Sequence, residues 1–222
     1  MMEFLAHYWD VLLKGTFETL YMVFVSTAFA YILGLPLGVI MVTTAQNGIR
    51  PNKAVNESLG TIINIGRSIP FIILMVAIIP FTRLVVGKAI GSTAAIVPLV
   101  IAAAPFVARM VESSLDEISP GVIEAAQTMG ATDWQIVLKV LLPESVPSLI
   151  RGFSITTITL VGYSAMAGAV GGGGLGAIAI NYGYYRFQSD MLYVTVVLMI
   201  LMVQIIQMIF NFVAKRIDKR NR

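Results

Sequence analysis

Residues 19–42 read TLYMVFVSTAFAYILGLPLGVIMV and contain no charged side chain. A helix needs about 20 apolar residues to cross the roughly 30 Å hydrocarbon core of a bilayer, so this run is long enough to span a membrane. Four further predominantly apolar runs follow, at about 61–80, 93–111, 152–170 and 191–214. The sequence therefore predicts five transmembrane helices.

The composition supports this prediction. Hydrophobic residues make up 57% of the chain and charged residues only 12%, whereas a soluble domain carries about a quarter charged residues. The runs must be helices because lipid offers no water to satisfy exposed backbone groups, and the short alternating segments of a barrel do not occur. The expected fold class is an all-α integral membrane protein. With no cysteine and a single histidine, His7, no metal site is expected.

The distribution of lysine and arginine predicts the orientation, because these residues are retained on the cytoplasmic side. With the amino terminus outside, 11 of the 15 basic residues lie inside, and 10 remain if Arg67 is intramembrane. We therefore expect an external segment at 1–14, a transmembrane domain at 15–214 and a basic cytoplasmic tail at 215–222. The net charge of +3 reflects this topology, so no nucleic-acid partner is expected.

The longest connection, residues 112–147, is placed in the cytoplasm by this topology. Ser119 is a favourable N-cap, and Pro120 occupies the first helical position, where a missing N–H costs nothing. The helix that begins there is expected to end at Gly130, because glycine adopts the left-handed conformation of a C-cap without strain.

A second short helix is predicted immediately after this bend. Thr132 and Gln135 have the spacing of a capping box, and apolar residues follow as far as Pro143, with Trp134 near the bend. The connection is also too short for a nucleotide-binding domain, which needs about 100 residues or more, so any ATP chemistry belongs to another polypeptide. On these residues alone, a plain surface hairpin that links two spans is an equally good interpretation.

The spacing in this connection resembles a known signature. Glu124, Ala125 and Ala126 are followed after three residues by Gly130, and nine residues later by Val140, one further residue, Leu142 and Pro143. This resembles the EAA signature of permease subunits in bacterial ATP-binding-cassette importers, which has isoleucine where Val140 stands. The resemblance implies a type I importer permease fold, and a coupling helix that seats in a cleft of a separate ATPase subunit. The expected coupling residues are Glu124, Ala125, Ala126, Gly130, Ala131, Thr132, Trp134, Leu142 and Pro143.

Glu124 is the only charged member of this set. In the first turn of a helix its carboxylate is favoured by the helix dipole, and it is able to accept a charge-assisted hydrogen bond from a partner. The alternative is an ordinary helix-stabilising acid that contributes less than about 1 kcal/mol. Given the resemblance, we favour the coupling role.

Residues 170–176 and 182–187 resemble the methionine-importer branch of these permeases. The resemblance implies five helices per subunit, two permease copies, two ATPase subunits that bind ATP and Mg, an external substrate-binding protein, and a place among the lipids of the bacterial inner membrane. The chain itself would hold no cofactor and catalyse nothing. Methionine as the solute rests on this resemblance alone, because no residue pattern in the chain is specific for a thioether.

Two other stretches are candidates for a transport role. The fourth run has more hydroxyl groups than lipid contact requires, and its polar and soft side chains are candidates to line a path, although helix packing explains them equally well: Thr156, Thr157, Thr159, Tyr163, Ser164 and Met166. The glycines that follow are interpreted as a flexible external segment, with an ordinary turn as the alternative: Gly171, Gly172, Gly173, Gly174 and Gly176. Their spacing formally fits a dinucleotide fingerprint, but that motif follows a strand and not a membrane helix.

The main alternative is a secondary transporter. Proton-driven carriers keep carboxylates in the membrane at a cost of roughly 2.5 to 3.5 kcal/mol each, because those groups relay the proton. None of the five runs contains Asp or Glu, which disfavours proton coupling. Sodium coupling through backbone carbonyls and a different small solute stay open, and a scaffold protein would not need a capped coupling loop.

Overall fold

The protein is described by a computed structural model that covers residues 2–217, with side chains from Tyr8 onward. The side chain of His7 and the tail beyond Ile217 lie outside the described residues. Ten α-helices are present in this part of the chain, with no strand. They are α1 Met2–Thr44, α2 Lys53–Ser68, α3 Phe71–Ala77, α4 Ile79–Val86, α5 Ser92–Asp116, α6 Pro120–Thr128, α7 Asp133–Ile136, α8 Leu142–Ala169, α9 Gly174–Ile178 and α10 Ser189–Ile217.

The all-α prediction is confirmed. Four helical stretches are long and apolar enough to cross a membrane, and α2 with α3 qualifies as a fifth if that broken pair is one span. The predicted run at 61–80 is thus not one continuous helix. Its break lies at Ile69 and Pro70, because proline lacks the N–H that a helix interior requires and disfavours the helical conformation in the residue before it.

The helices extend beyond the predicted runs at both ends of the chain. Residues 2–14, expected as a separate external segment, form the first turns of α1. The predicted second short helix after Gly130 is wrong in extent, because α7 continues into α8 through a π-helical segment, Val137–Leu141. Pro143 does not end the helix either, since α8 runs through it from Leu142 to Ala169.

Residues cluster into two compact units. The first unit comprises Met1–Phe29, Ile69–Ala103 and Thr157–Gln207, and the second comprises Ala30–Ser68, Ala104–Thr156 and Met208–Arg222. The first has a core of fully buried apolar side chains, which includes Met22, Leu99, Leu160, Leu175 and Met191. The second has a comparable core, which includes Val107, Val111, Leu115, Ile136 and Leu141.

Within the second unit, α1 and α5 approach closely at two glycines four residues apart. A Cβ atom on Gly34 would lie 2.7 Å from Val107, and one on Gly38 would lie 2.6 Å from the carbonyl oxygen of Ala108. Small residues at this spacing are the usual means by which membrane helices pack backbone against backbone. This contact fixes the end of α5 from which the predicted coupling connection departs.

Candidate functional site

The first helix of the predicted coupling connection is α6, and its C-terminal turn is closed by the backbone. Gly130 has φ of +78°, and its N–H donates to the carbonyl of Gln127 at 2.9 Å. The N–H of Ala131 donates to the carbonyl of Ala126 at 3.1 Å. These two bonds form a Schellman motif, so the predicted left-handed bend at Gly130 is confirmed. Ser119 does occupy the N-cap position, but its hydroxyl makes no capping bond.

The start of α7 is the predicted capping box. The Gln135 N–H donates to Thr132 Oγ1 at 3.4 Å, and the Thr132 N–H donates to Gln135 Oε1 at 2.9 Å. Together with the Schellman motif, this box satisfies the backbone groups on both sides of the bend without help from another part of the chain. The connection is therefore locally ordered.

Apolar side chains of this connection divide into a buried set and an exposed set. Ala126, Ile136 and Leu141 are buried and anchor the segment to the second unit. The outward side carries large apolar groups with high exposed fractions, which are Val122 at 43%, Met129 at 81%, Trp134 at 72% and Leu138 at 56%. No element in the part of the chain that the structure describes covers this outward surface, which we call the coupling surface.

Glu124 lies beyond the first turn of α6, contrary to the prediction, beside this surface and at the edge of an open cavity of about 520 Å³. The cavity lies between α6 and the turn after α1, and its lining includes Asn47, Gly48, Asp116 and Gln127. Two carboxylates and two amide side chains thus share one opening. Such a group attracts a cationic or N–H-bearing side chain, which is the chemistry that the coupling role of Glu124 requires.

A polar network near the start of the connection was not foreseen from the sequence. Arg109 Nη1 donates to Glu112 Oε2 at 2.7 Å, and its Nη2 donates to Asn64 Oδ1 at 3.0 Å and to the Gly60 carbonyl at 3.5 Å. It joins α5 to α2 in the second unit. The available signal was the asparagine in the run at 61–80 and the single arginine in the run at 93–111.

The six candidate path residues do not form one constellation. Thr156 and Ser164 are buried, and their hydroxyls donate to carbonyls of their own helix, Gly152 at 2.9 Å and Val161 at 2.7 Å. Thr156 belongs to the second unit and the other five to the first. The Tyr163 ring stacks on Phe71 at 4.7 Å, whereas Met166 is 48% exposed. Thr157 is buried and Thr159 is partly buried, and both have partners of their own. A path role stays a prediction for this set.

The glycine segment, residues 168–178, is held in place by bonds from distant parts of the first unit. The N–H of Gly174 donates to Glu18 Oε2, and that of Leu175 donates to Thr19 Oγ1, both at 2.9 Å. The carbonyl of Gly171 accepts from the Gly91 N–H at 2.8 Å. Positive φ values occur in this segment at Gly171, Gly173 and Gly174.

Close packing provides a second reason for glycine in this segment. A Cβ atom on Gly176 would lie 2.5 Å from Ala165 Cα, and one on Gly168 would lie 2.3 Å from the backbone nitrogen of Ala177. One on Gly172 would lie 2.7 Å from the Ala167 carbonyl oxygen. Backbone conformation and lack of space both explain the glycines without any motion of the segment. The predicted flexible role stays a prediction.

Residues 34–222 match the family described as "Binding-protein-dependent transport system inner membrane component". A protein of Vibrio cholerae, named "Probable D-methionine transport system permease protein MetI", is 56% identical over 211 residues, which cover 95% of this chain and 94% of the relative. The Escherichia coli K12 D-methionine transport system permease protein MetI is 56% identical over 158 residues, 71% of this chain and 73% of that protein.

Solved structures give the same result. An inward-facing structure of the MetNI methionine ABC transporter matches with a TM-score of 0.94 at 49% identity, and covers 96% of this chain and 98% of that one. An amino acid ABC transporter crystallised with histidines matches with a TM-score of 0.78 at 18% identity over 96% of each chain, a likeness of fold alone.

Proposed function

Because the chain belongs to the family of binding-protein-dependent transport system inner membrane components, we propose that it imports methionine or a related amino acid, driven by a separate ATPase. It is a multi-pass permease subunit of the inner membrane with the type I importer fold. The proposed identity of the solute is taken from the names of the relatives, which are methionine transport permeases. The absence of Asp and Glu from the five apolar runs agrees with a neutral or zwitterionic solute.

The coupling surface is the observation that supports the ATPase site most directly. The Schellman motif and the capping box bond the backbone of the bend within the segment itself, so the bend is ordered without a partner. Yet Met129 and Trp134 stay largely exposed in the chain. An ordered segment with uncovered large apolar side chains is typical of a protein–protein contact. Glu124, beside them, supplies a charge-assisted hydrogen bond to the same partner.

The path from this surface to the membrane helices is short. From Asp133 onward, α7, the π-helical segment and α8 follow one another without an intervening loop. ATP binding closes the partner ATPases, the segment 120–143 moves with them, and the movement reaches α8 directly. Alternating access of the spans then carries the solute inward.

The assembly that this mechanism requires contains two copies of the chain and two ATPase subunits that bind ATP and Mg. An external substrate-binding protein delivers the solute. The amino terminus lies outside and the coupling surface in the cytoplasm, as the distribution of lysine and arginine predicts. Among the other coupling residues, Ala125 is small and exposed and allows close approach of the partner. Ala131, Leu142 and Pro143 complete the proposed set.

The test is uptake of labelled methionine by proteoliposomes that contain the permease, its ATPase and the binding protein. Gly130→Asp places a charged side chain at φ +78° in the bend and should abolish ATP-driven uptake while membrane insertion is retained. Gly87→Asp is the matched control, because Gly87 also has φ of +78° and no atom within 4 Å of an added Cβ, but it ends α4. Full uptake by Gly130→Asp would contradict the coupling assignment. Uptake by the permease alone, without ATPase, would contradict the importer.

A further inference from the structure

A small polar cavity lies where α5 ends and α8 begins, at the two ends of the coupling connection. Its volume is about 30 Å³, and six polar residues of the second unit contribute to its lining: Ser114, Glu117, Glu144, Ser145, Ser148 and Arg151. We call this cavity the stem cavity. The EAA signature does not include any of these residues.

One hydroxyl in the stem cavity has no partner. Ser145 is only 3% exposed, and its Oγ makes no hydrogen bond to any atom of the residues that the structure describes. A buried hydroxyl without a partner costs free energy, and native proteins seldom leave one unsatisfied. A water needs a polar cavity of about 10 to 15 Å³ and two to four polar neighbours, and the stem cavity provides both.

We propose that the stem cavity holds one ordered water that bonds to Ser145 Oγ and bridges the end of α5 to the beginning of α8. The bridge acts beside a direct bond, in which Ser148 Oγ donates to Glu117 Oε1 at 3.0 Å. Water fits better than an ion, because Arg151 opposes a cation in this lining and the carboxylates of Glu117 and Glu144 oppose an anion.

The consequence for transport rests on the proposed function. The water bridge and the bond from Ser148 to Glu117 hold the two ends of the connection together, so the connection moves as one body when an ATPase displaces the bend at Gly130. When these contacts are weakened, the bend moves farther than α5 and α8 do. ATP is then hydrolysed with less solute imported. Ser145 and Ser148 are therefore positioning residues for coupling, and neither of them contacts the solute.

The experiment measures methionine imported per ATP hydrolysed, in proteoliposomes that contain the whole complex. Ser145→Ala and Ser148→Ala should each lower this ratio about threefold, within the range by which residues remote from both sites modulate coupling. Ser148→Thr keeps the hydroxyl and should restore the ratio. The control is Ser113→Ala, because Ser113 is exposed, is adjacent to Ser114 and does not line the cavity. A high-resolution structure of the complex should show a water within hydrogen-bond distance of Ser145 Oγ.

Three results would overturn the proposal. One is unchanged ratios in both alanine variants while the wild type shows ATP-driven uptake. The second is a dry cavity, in which case Ser145→Ala removes an unsatisfied hydroxyl and raises the melting temperature of the complex. The third is density with five or more oxygen neighbours at about 2.4 Å, which is a metal ion and not water. Absence of ATP-driven uptake in the wild type would instead contradict the proposed function itself.

Discussion

The coupling connection and the glycine segment are both connections between apolar helices, but they use glycine for different purposes. At Gly130 an added Cβ would meet no atom within 4 Å, and the residue is required only for its φ of +78°. At Gly176 an added Cβ would lie 2.5 Å from Ala165 Cα, so the residue is required for space. The first connection keeps large side chains exposed, whereas the second is packed backbone against backbone. Substitutions in the first should therefore change coupling, and those in the second should change folding.

The largest effect is expected for Gly176→Val. The new side chain meets the backbone of Ala165, which has no way to rotate aside, and overpacking of this kind costs about 3 kcal/mol. The yield of monodisperse permease complex on size exclusion should fall severely. Gly162→Val is the control, because Gly162 lies in the same helix as Ala165 and its Cβ would meet nothing within 4 Å. Equal yields of the two variants would remove the proposed contrast between the connections.

Glu124→Ala should come next, with an effect on transport and none on folding. Loss of one charge-assisted hydrogen bond costs about 1.5 to 3 kcal/mol, so ATP-driven uptake should fall at least about tenfold while the yield of permease stays constant. Glu57→Ala is the control, since Glu57 is an exposed acid on α2 whose ion pair with Lys53 lies at the surface. Normal uptake by Glu124→Ala would limit coupling to the apolar part of the surface.

Glu18→Ala tests the bond that α1 makes to the glycine segment. The carboxylate accepts from the Gly174 N–H, and its removal should cost about 1 to 2 kcal/mol, as for the loss of a helix cap. A lower melting temperature of the purified permease is the expected result. Glu18→Gln retains an acceptor oxygen and should recover part of the loss. If both variants melt like the wild type, the glycine segment is held by packing alone.

The smallest effect is expected for Thr132→Ala, which removes one half of the capping box. The cost of about 1 kcal/mol should stay local, because the box bonds only within the connection. Hydrogen exchange of the backbone N–H of Gln135 should become about fivefold faster, with no change in the melting temperature of the permease. Thr128→Ala is the control, since the Thr128 hydroxyl bonds to the Ala125 carbonyl and takes no part in the box.

Features that depend on neighbouring residues were predictable from the sequence. The apolar runs, the left-handed bend at Gly130 and the box at Thr132 are encoded within a few positions of where they occur. The EAA spacing located the candidate coupling segment in the same way. The break at Pro70 is also encoded locally, by a proline that lacks the N–H of a helix interior, although the hydropathy of the run at 61–80 does not show it.

Features that depend on distant residues were not predictable. The bond from Glu18 to Gly174 joins residues 156 positions apart, and nothing near Glu18 in sequence identifies its partner. The hydroxyls of Thr156 and Ser164 made the fourth run look polar, but both bond to their own helix. The π-helical segment at Val137–Leu141 has no sequence signal of its own, and its presence made α7 and α8 continuous.

The π-helical segment Val137–Leu141 also affects the orientation of the coupling surface around the helix axis. A π-bulge accommodates one extra residue within an α-helix, and one residue corresponds to about 100° of rotation around the helix axis. Because the wider π turn absorbs that residue, Trp134 keeps about the orientation relative to α8 that a plain α-helix one residue shorter would give it. The direction in which the coupling surface faces thus depends on the number of residues between it and the membrane, as well as on their chemistry. Substitutions there are tolerable in principle, whereas one further residue inserted into a regular helical turn would rotate the whole surface by about 100° away from its partner.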